Sequence, residues 1–299
     1  MINIKKLQEY QLKRLIKKTF TEIFKRKNLI DNDGAAPKVK NITFAKYGFT
    51  IDIDLVGICS YSELEKEIEY IQTIFKAYEV NLKVVKGICR LCIYTDELQD
   101  RGYSRLEYEP YTCILGHNYE GDITVDMRKT CHLIISGLSG TGKSCCVSMA
   151  IDQLEYSGAN VIILNGYRED YPNFKGRFII GEDIIKFLVN LYTDIQYHEK
   201  PLYVVIEEMQ TLQDKVISDI LKKILSVGRH YNIFIIGIIQ EATKENCKFK
   251  SLFNARCTFR QIDTSSIQVV LGTNIEKKLK KQEFALFSDD LYYGKTFII

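Results

Sequence analysis

CHLIISGLSGTGKSCCVS, residues 131 to 148, joins a short apolar run, a glycine-rich loop and the start of an amphipathic stretch. His132-Leu-Ile-Ile135 has the length and composition of a buried strand. Gly137-Leu-Ser-Gly-Thr-Gly142-Lys143-Ser144 has the spacing of a phosphate-binding loop, GxxxxGK[ST]. Behind it, Cys145, Val147, Met149, Ala150 and Leu154 fall on one side of a predicted helix. Strand, loop and helix in that order separate the motif from a chance glycine-rich turn. Glycines at 137, 140 and 142 let backbone N–H groups turn inward around a phosphate, and the next helix points its positive end at the same anion. Lys143 supplies a charge for the outer phosphates and Ser144 a hydroxyl for magnesium. Gly137, Ser139, Gly140, Thr141, Gly142, Lys143, Ser144 and Cys145 are therefore expected to hold ATP, with Ser144 also on Mg2+.

The chain has 299 residues, 46% hydrophobic and 26% charged, an ordinary globular composition that leaves room for one large core or two unequal domains. No apolar run approaches the length of a membrane span, and the charged N-terminus does not resemble a signal peptide. A cytoplasmic location with reduced thiols is expected for the nine cysteines. Cys89-x-x-Cys92 has no second pair to complete a zinc or redox site, so two core cysteines are the simpler reading. The net charge of +3 is unevenly spread: residues 1–28 hold nine Lys or Arg against Glu9 and Glu22, leaving 32 basic and 36 acidic residues elsewhere. A nucleic acid partner must then be met by local patches, not by a global field.

In chain order, residues 3–28 read as a basic amphipathic helix, with Leu12, Leu15, Ile16, Phe20, Ile23 and Phe24 at helical spacing. It can pack on the body with a solvated charged face, or meet DNA, a membrane surface or a partner protein. A turn-rich linker, 31–37, ends it. Residues 38–110 read as a small α/β domain: a strand through Phe49–Leu55, a helix over Tyr61–Tyr78, and strands Val80–Val85 and Ile88–Tyr94 around a Lys86-Gly87 hairpin. Residues 111–299 read as a nucleotide-binding core. Strands are predicted at 112–115, 122–126, 131–136, 160–164, 202–206, 233–239, 257–262, 284–287 and 296–299, and helices after the loop, at 182–198 and at 212–227. Alternating strands and helices imply an α/β fold with a mainly parallel sheet covered on both faces.

Leu202-Tyr-Val-Val-Ile206 runs straight into Glu207-Glu208. An apolar strand ending in two acids suits a magnesium-dependent NTPase: Glu207 holds the ion through water, and Glu208 orients or deprotonates the attacking water. The alternative is an acidic helix start. Gln240 closes the strand 233–239, where it would stand beside the phosphate loop as a sensor of the γ-phosphate or water, or else be an ordinary surface glutamine.

On these residues the chain resembles the motor of the FtsK/HerA superfamily, and within it the FtsK/SpoIIIE-type DNA translocases. Leu115-Gly-His-Asn, Gly121-Asp-Ile-Thr-Val-Asp126, Cys131-His-Leu, Glu207-Glu208, Gly228-Arg229, Ile239-Gln240, Asn254-Ala-Arg256 and Thr264-Ser-Ser266 follow that family's order of motifs. The resemblance covers residues 111–299 well and 38–110 in outline. It departs at Leu164-Asn-Gly166, where the family has Asp-Pro-Lys, and at Glu207, where most motors have Asp. It also lacks that family's membrane segments and C-terminal winged helix, which favours a compact motor of a mobile element, plasmid or phage over one working at a division septum.

The resemblance implies a RecA-like core and a homo-oligomeric, usually hexameric, ring that passes double-stranded DNA, with ATP between neighbours. It further implies an arginine finger, for which Arg256 is the first candidate and Arg229 and Arg260 the alternatives. Lys248, Lys250, Lys277, Lys278, Lys280 and Lys281 could meet DNA phosphates or simply be solvated. The competing readings are a protein-moving ATPase of the same superfamily and a nucleotide-dependent switch.

Overall fold

The computed structural model describes residues 4–212, 214–247, 249–275 and 277–298, and side chains from Leu7 onward. Expectations for residue 3, Lys248 and Ile299 lie outside the described residues. The chain divides into two compact units, residues 1–99 and 100–299.

The first unit holds α1 (Ile4–Arg26), β1 (Lys38–Ala45), β2 (Gly48–Asp54), α2 (Tyr61–Glu65), α3 (Ile68–Phe75), β3 (Glu79–Val85) and β4 (Ile88–Tyr94). Its sheet is antiparallel throughout, in the order β1-β2-β4-β3. Alternation in β2 puts Phe49, Ile51 and Ile53 on one face, where Ile16, Phe20, Ile23 and Phe24 of α1 join them in one core. The Lys86-Gly87 turn has φ of +52° and +78°, the left-handed pair that suits a two-residue hairpin. Cys89 and Cys92 are buried strand residues, and all nine cysteines are free.

Two expectations for this unit need correction. The helix over Tyr61–Tyr78 is two helices, because the Glu67 N–H turns to the Leu64 carbonyl only three residues back and breaks the α-helical ladder. Strand β1 was not expected; its charged sequence, KVKNITFA, fits an edge strand with little burial.

The second unit holds β5 (Thr112–Asn118), β6 (Gly121–Asp126), α4 (Met127–Thr130), β7 (Leu133–Ser136), α5 (Lys143–Tyr156), β8 (Asn160–Leu164), β9 (Arg177–Ile179), α6 (Asp183–Thr193), β10 (Leu202–Ile206), α7 (Lys215–Val227), β11 (Ile233–Ile239), β12 (Ala255–Phe259), α8 (Thr264–Leu271), β13 (Glu283–Phe287) and β14 (Leu291–Lys295). Together its strands form a ten-stranded sheet, β6-β5-β14-β13-β12-β7-β11-β10-β8-β9. The six strands from β12 to β9 are parallel, and those from β6 to β13 add antiparallel pairings.

Period-two alternation fixes the layers. Leu133 and Ile135 of β7 face a cluster with Cys146, Val147, Ala150 and Leu154 of α5. Ile134 faces the opposite cluster, with Ile184 and Leu188 of α6 and Ile217, Leu221 and Ile224 of α7. Strands β10 and β11 are buried at every position, as a parallel sheet covered on both sides requires.

Helix starts follow local chemistry. Asp214 caps α7 by accepting from the N–H groups of Val216 and Ile217, and Asp263 caps α8 by accepting from Ser266. Helix α6 ends at Thr193, short of residue 198, and β12 ends at Phe259, short of Ile262. The apolar stretch 296–299 was expected as a strand, but among the described residues the last strand is β14. Phe297 instead packs into a cluster with Ile114 and Met149, and Ile298 makes an isolated bridge to Gly102, so burial there does not need a ladder.

Candidate functional site

The phosphate loop leaves the C-terminal end of β7 and enters α5. Gly137, Gly140 and Gly142 have φ of +155°, +73° and +111°. A Cβ at Gly137 would stand 2.7 Å from that of Phe259, so close approach as well as torsion requires glycine there; one at Gly142 would stand 3.1 Å from Cα of Gln282, a tight contact added to its torsion. The loop is tied to its neighbours by N–H groups: Gly137 donates to Ile239, Leu138 to Arg260, and Gln282 to Thr141 at 2.7 Å. The Thr141 hydroxyl closes the turn on the Leu138 carbonyl. Ser139 and Gly140 are exposed, and Lys143, the first residue of α5, is 6% exposed. Ser144 is exposed and Cys145 donates its thiol to the Phe297 carbonyl.

Strands β7, β11 and β10 are adjacent and parallel, so whatever follows each of them collects at one edge of the sheet. The phosphate loop follows β7, Gln240 follows β11, and Glu207 and Glu208 follow β10. Gln240 Nε2 donates to Glu208 Oε1 at 2.8 Å, joining two residues 32 positions apart. Glu208 has φ +47° and ψ +45°, a left-handed conformation that costs a non-glycine residue on the order of 1 kcal/mol. Its carbonyl receives both the N–H and the hydroxyl of Thr211, at 2.7 and 2.9 Å, which holds the bend. Burial raises the Glu207 carboxyl above the usual range; the Tyr171 hydroxyl and the Lys143 charge act the other way.

Oxygen donors and one lysine make up the arrangement. Hard oxygen ligands suit Mg2+. The Ser144 hydroxyl and the Glu207 carboxylate would hold it, and inward N–H groups with Lys143 would hold the phosphates. Among the described residues no cluster of three or more His, Cys, Asp or Glu could hold a metal ion by itself.

The arginines separate. Arg256 pairs in register with Ile134, near the strand end opposite the phosphate loop. Its Nε donates to the Phe253 carbonyl at 2.9 Å and its Nη1 to the Leu271 carbonyl at 3.2 Å, at the end of α8, and burial lowers its pKa. Arg229 is exposed in the turn before β11, 3.8 Å from the Cys131 sulfur. Arg260 is exposed immediately after β12, next to the phosphate loop that its carbonyl supports. Lys250 donates to the Val269 carbonyl, and Lys277 stands over the Tyr293 ring.

No protein-family model matches the sequence, and no curated protein does either. Solved structures do match. The conjugation coupling protein TcpA of pCW3, in its monomer form with ATPγS, superposes with a TM-score of 0.61 at 17% identity over 94% of each chain. EccC of Thermomonospora curvata (ATPases 2 and 3), in complex with a signal sequence peptide, gives 0.56 at 11% identity, over 91% of this chain and 56% of that one. EssC of Geobacillus thermodenitrificans (ATPases 2 and 3) gives 0.51 at 12% identity, over 84% and 53%. The fold is that of the P-loop ATPases. Within this P-loop ATPase fold, the motif order seen in the sequence becomes a spatial order: loop, acidic pair and glutamine end three neighbouring strands.

Sequence reasoning missed three features of the site. Ser136, Thr258 and Gln261 form a buried hydroxyl–amide network under the loop, with Ser136 Oγ 2.8 Å from Thr258 Oγ1 and Gln261 Nε2 donating to Ser136. Gln282, at φ +67°, clamps Thr141 from the β13 hairpin. Tyr171 and Asn165 reach the acidic pair from the loop after β8. The departure at Leu164-Asn-Gly166 was the one sequence signal for the last of these. No helix among the described residues is long and apolar enough to cross a membrane.

Proposed function

We propose that this chain is an ATP-driven double-stranded DNA translocase that hydrolyses Mg·ATP at the subunit interfaces of a homo-oligomeric ring, as a motor of a mobile element, plasmid or phage. The observation that carries the ATPase part is the Gln240–Glu208 hydrogen bond beside the phosphate loop. A carboxylate held by a neutral amide donor is presented as an acceptor at the edge where the γ-phosphate would lie. Lys143 neutralises the outer phosphates, Ser144 and Glu207 hold the ion, Glu208 accepts the proton of the attacking water, and Gln240 orients that pair. Magnesium supplies charge neutralisation on the phosphate oxygens. The finger is proposed at Arg256, which must release the Phe253 and Leu271 carbonyls to act across a boundary; Arg229 and Arg260 are the alternatives.

The DNA part is supported by the likeness to a conjugation coupling protein over nearly the whole of both chains. A second reading, an ATPase that moves protein, is favoured by the likeness to EccC, solved with a signal sequence peptide. One experiment separates them: steady-state ATP hydrolysis with and without linear duplex DNA, with oligomer size measured in the same buffer. Stimulation by duplex together with ring formation supports translocation. Turnover indifferent to DNA moves the proposal to the second reading, and a single turnover without recycling reduces it to a switch.

A further inference from the structure

Glu207 has one more methylene than the aspartate usual in the motors this chain resembles, and so one more torsion to fix before its carboxylate can serve an ion. Strand β10 cannot fix it, since it ends at Ile206. The loop after β8 does. Tyr171 is 1% exposed, its ring packs on Phe178 within the α5-side core, and its hydroxyl donates to Glu207 Oε1. Oε2 is left for other partners. Asn165, at φ +59°, donates from Nδ2 to the Glu207 carbonyl and to Thr211 Oγ1, both at 3.2 Å, and that hydroxyl in turn donates to the Glu208 carbonyl. The Glu207 N–H donates to the Leu164 carbonyl at 3.0 Å. At Gly166 a Cβ would meet Ile163 at 2.6 Å and reach 3.4 Å from Glu207 Cγ and 3.5 Å from the Tyr171 ring, so the loop lies closely on the acid.

We propose that Tyr171 and Asn165 are positioning residues for the magnesium site, Tyr171 fixing the Glu207 carboxylate and Asn165 the backbone on which both acids stand. This loop replaces, in this chain, the Asp-Pro-Lys segment of the motors it resembles. The proposal rests on Glu207 holding the magnesium, through water as read from the sequence.

Tyr171→Phe tests it, because the ring and its burial are kept and only the hydroxyl is lost. The readout is equilibrium binding of a fluorescent N-methylanthraniloyl ATP, titrated with MgCl2. A partner that orients a metal ligand is worth roughly ten- to a hundredfold in metal affinity. The magnesium concentration for half-maximal binding should therefore rise about tenfold in Tyr171→Phe, with nucleotide affinity at saturating magnesium within about twofold of wild type. Glu207→Asp draws the carboxylate back from the hydroxyl, so adding Tyr171→Phe to it should move the midpoint less than about twofold. An unmoved midpoint in Tyr171→Phe, or an equal shift in both backgrounds accompanied only by a lower melting temperature, overturns the proposal and leaves the ATPase reading standing. A wild-type chain that binds Mg·nucleotide but never turns it over sinks the ATPase reading alone, and one that binds no nucleotide sinks both.

Discussion

His132 offers a test of the P-loop core that can be worked to a number. It is 1% exposed and sits just before β7. Its Nδ1 receives the Ile235 N–H at 3.0 Å, so that nitrogen carries no proton; Nε2 lies 3.0 Å from the Leu225 carbonyl and must be the protonated one. The ring is thereby neutral, and it satisfies one of the last four carbonyls of α7. Burial pushes its pKa down from 6.5 to about 4, only partly offset by the Leu225 carbonyl. A depressed histidine costs nothing above the unfolded value. Below pH 6.5 the unfolded chain takes up a proton that the folded one refuses, and stability falls until about pH 4, where the folded form is protonated as well. Linkage gives a loss of about 2 kcal/mol by pH 5 and about 3 kcal/mol in full. Set against a total of ~5–15 kcal/mol, that is a large fraction. His132→Asn retains an acceptor near Nδ1 and cannot titrate. It should be less stable at pH 7, by ~1–2 kcal/mol for the lost bond to Leu225, but its stability should fall less steeply with acid. The chain has no tryptophan, so urea unfolding is followed by far-ultraviolet circular dichroism at pH 7, 6, 5 and 4.5. Carboxylates common to both proteins cancel in the difference. Parallel stability curves for wild type and His132→Asn would refute the depressed pKa.

Three shorter predictions concern chemistry. Lys143→Ala should abolish ATP hydrolysis in a phosphate-release assay, since the outer phosphates lose their cation; a wild-type rate would displace the site. Glu208→Gln should bind ATP normally yet turn over roughly 10²–10⁴-fold more slowly, because the amide cannot take a proton from water. Mixing inactive Arg256→Ala with inactive Lys143→Ala at concentrations where subunits exchange should restore some hydrolysis, the second variant lending its finger to the first; no recovery, with exchange shown separately, moves the assignment to Arg229 or Arg260.

The parts of this molecule that repeat a local rule were legible from residues alone. Buried parallel strands are apolar without a break, so β10 and β11 stood out as LYVVI and IFIIGII. The phosphate loop announces itself because close approach to an anion leaves glycine as the residue that fits. The antiparallel part of the sheet was harder. Strand β14, LYYGK, is half-buried and ends in a lysine, whereas the more apolar 296–298 stretch buries Phe297 against α5 and forms only one bridge. Apolarity measures burial, and a ladder is a separate matter of backbone pairing.

The same distinction explains what was hidden at the site. Glu207, Glu208 and Gln240 could be placed because each ends a strand, and strand order carries them to one edge of the sheet. Tyr171 ends no strand and belongs to no motif; it reaches Glu207 only because the segment between β8 and β9 folds back over β10's exit. Arg256 shows the converse. Its motif position names it as a finger, yet in the folded chain its guanidinium satisfies two carbonyls, one of them in the last turn of α8. Were the chain to work in a ring with this arginine as its finger, releasing it would expose the carbonyls of Phe253 and Leu271, which would link any move toward a neighbour's phosphate to the end of α8. If the mixing experiment assigns the finger to Arg256, nucleotide binding by a neighbour should therefore loosen the α8 C-terminus, read as faster amide exchange at residues 270–272 in the assembled ring than in the free chain; if it assigns Arg229 or Arg260, exchange there should stay unchanged.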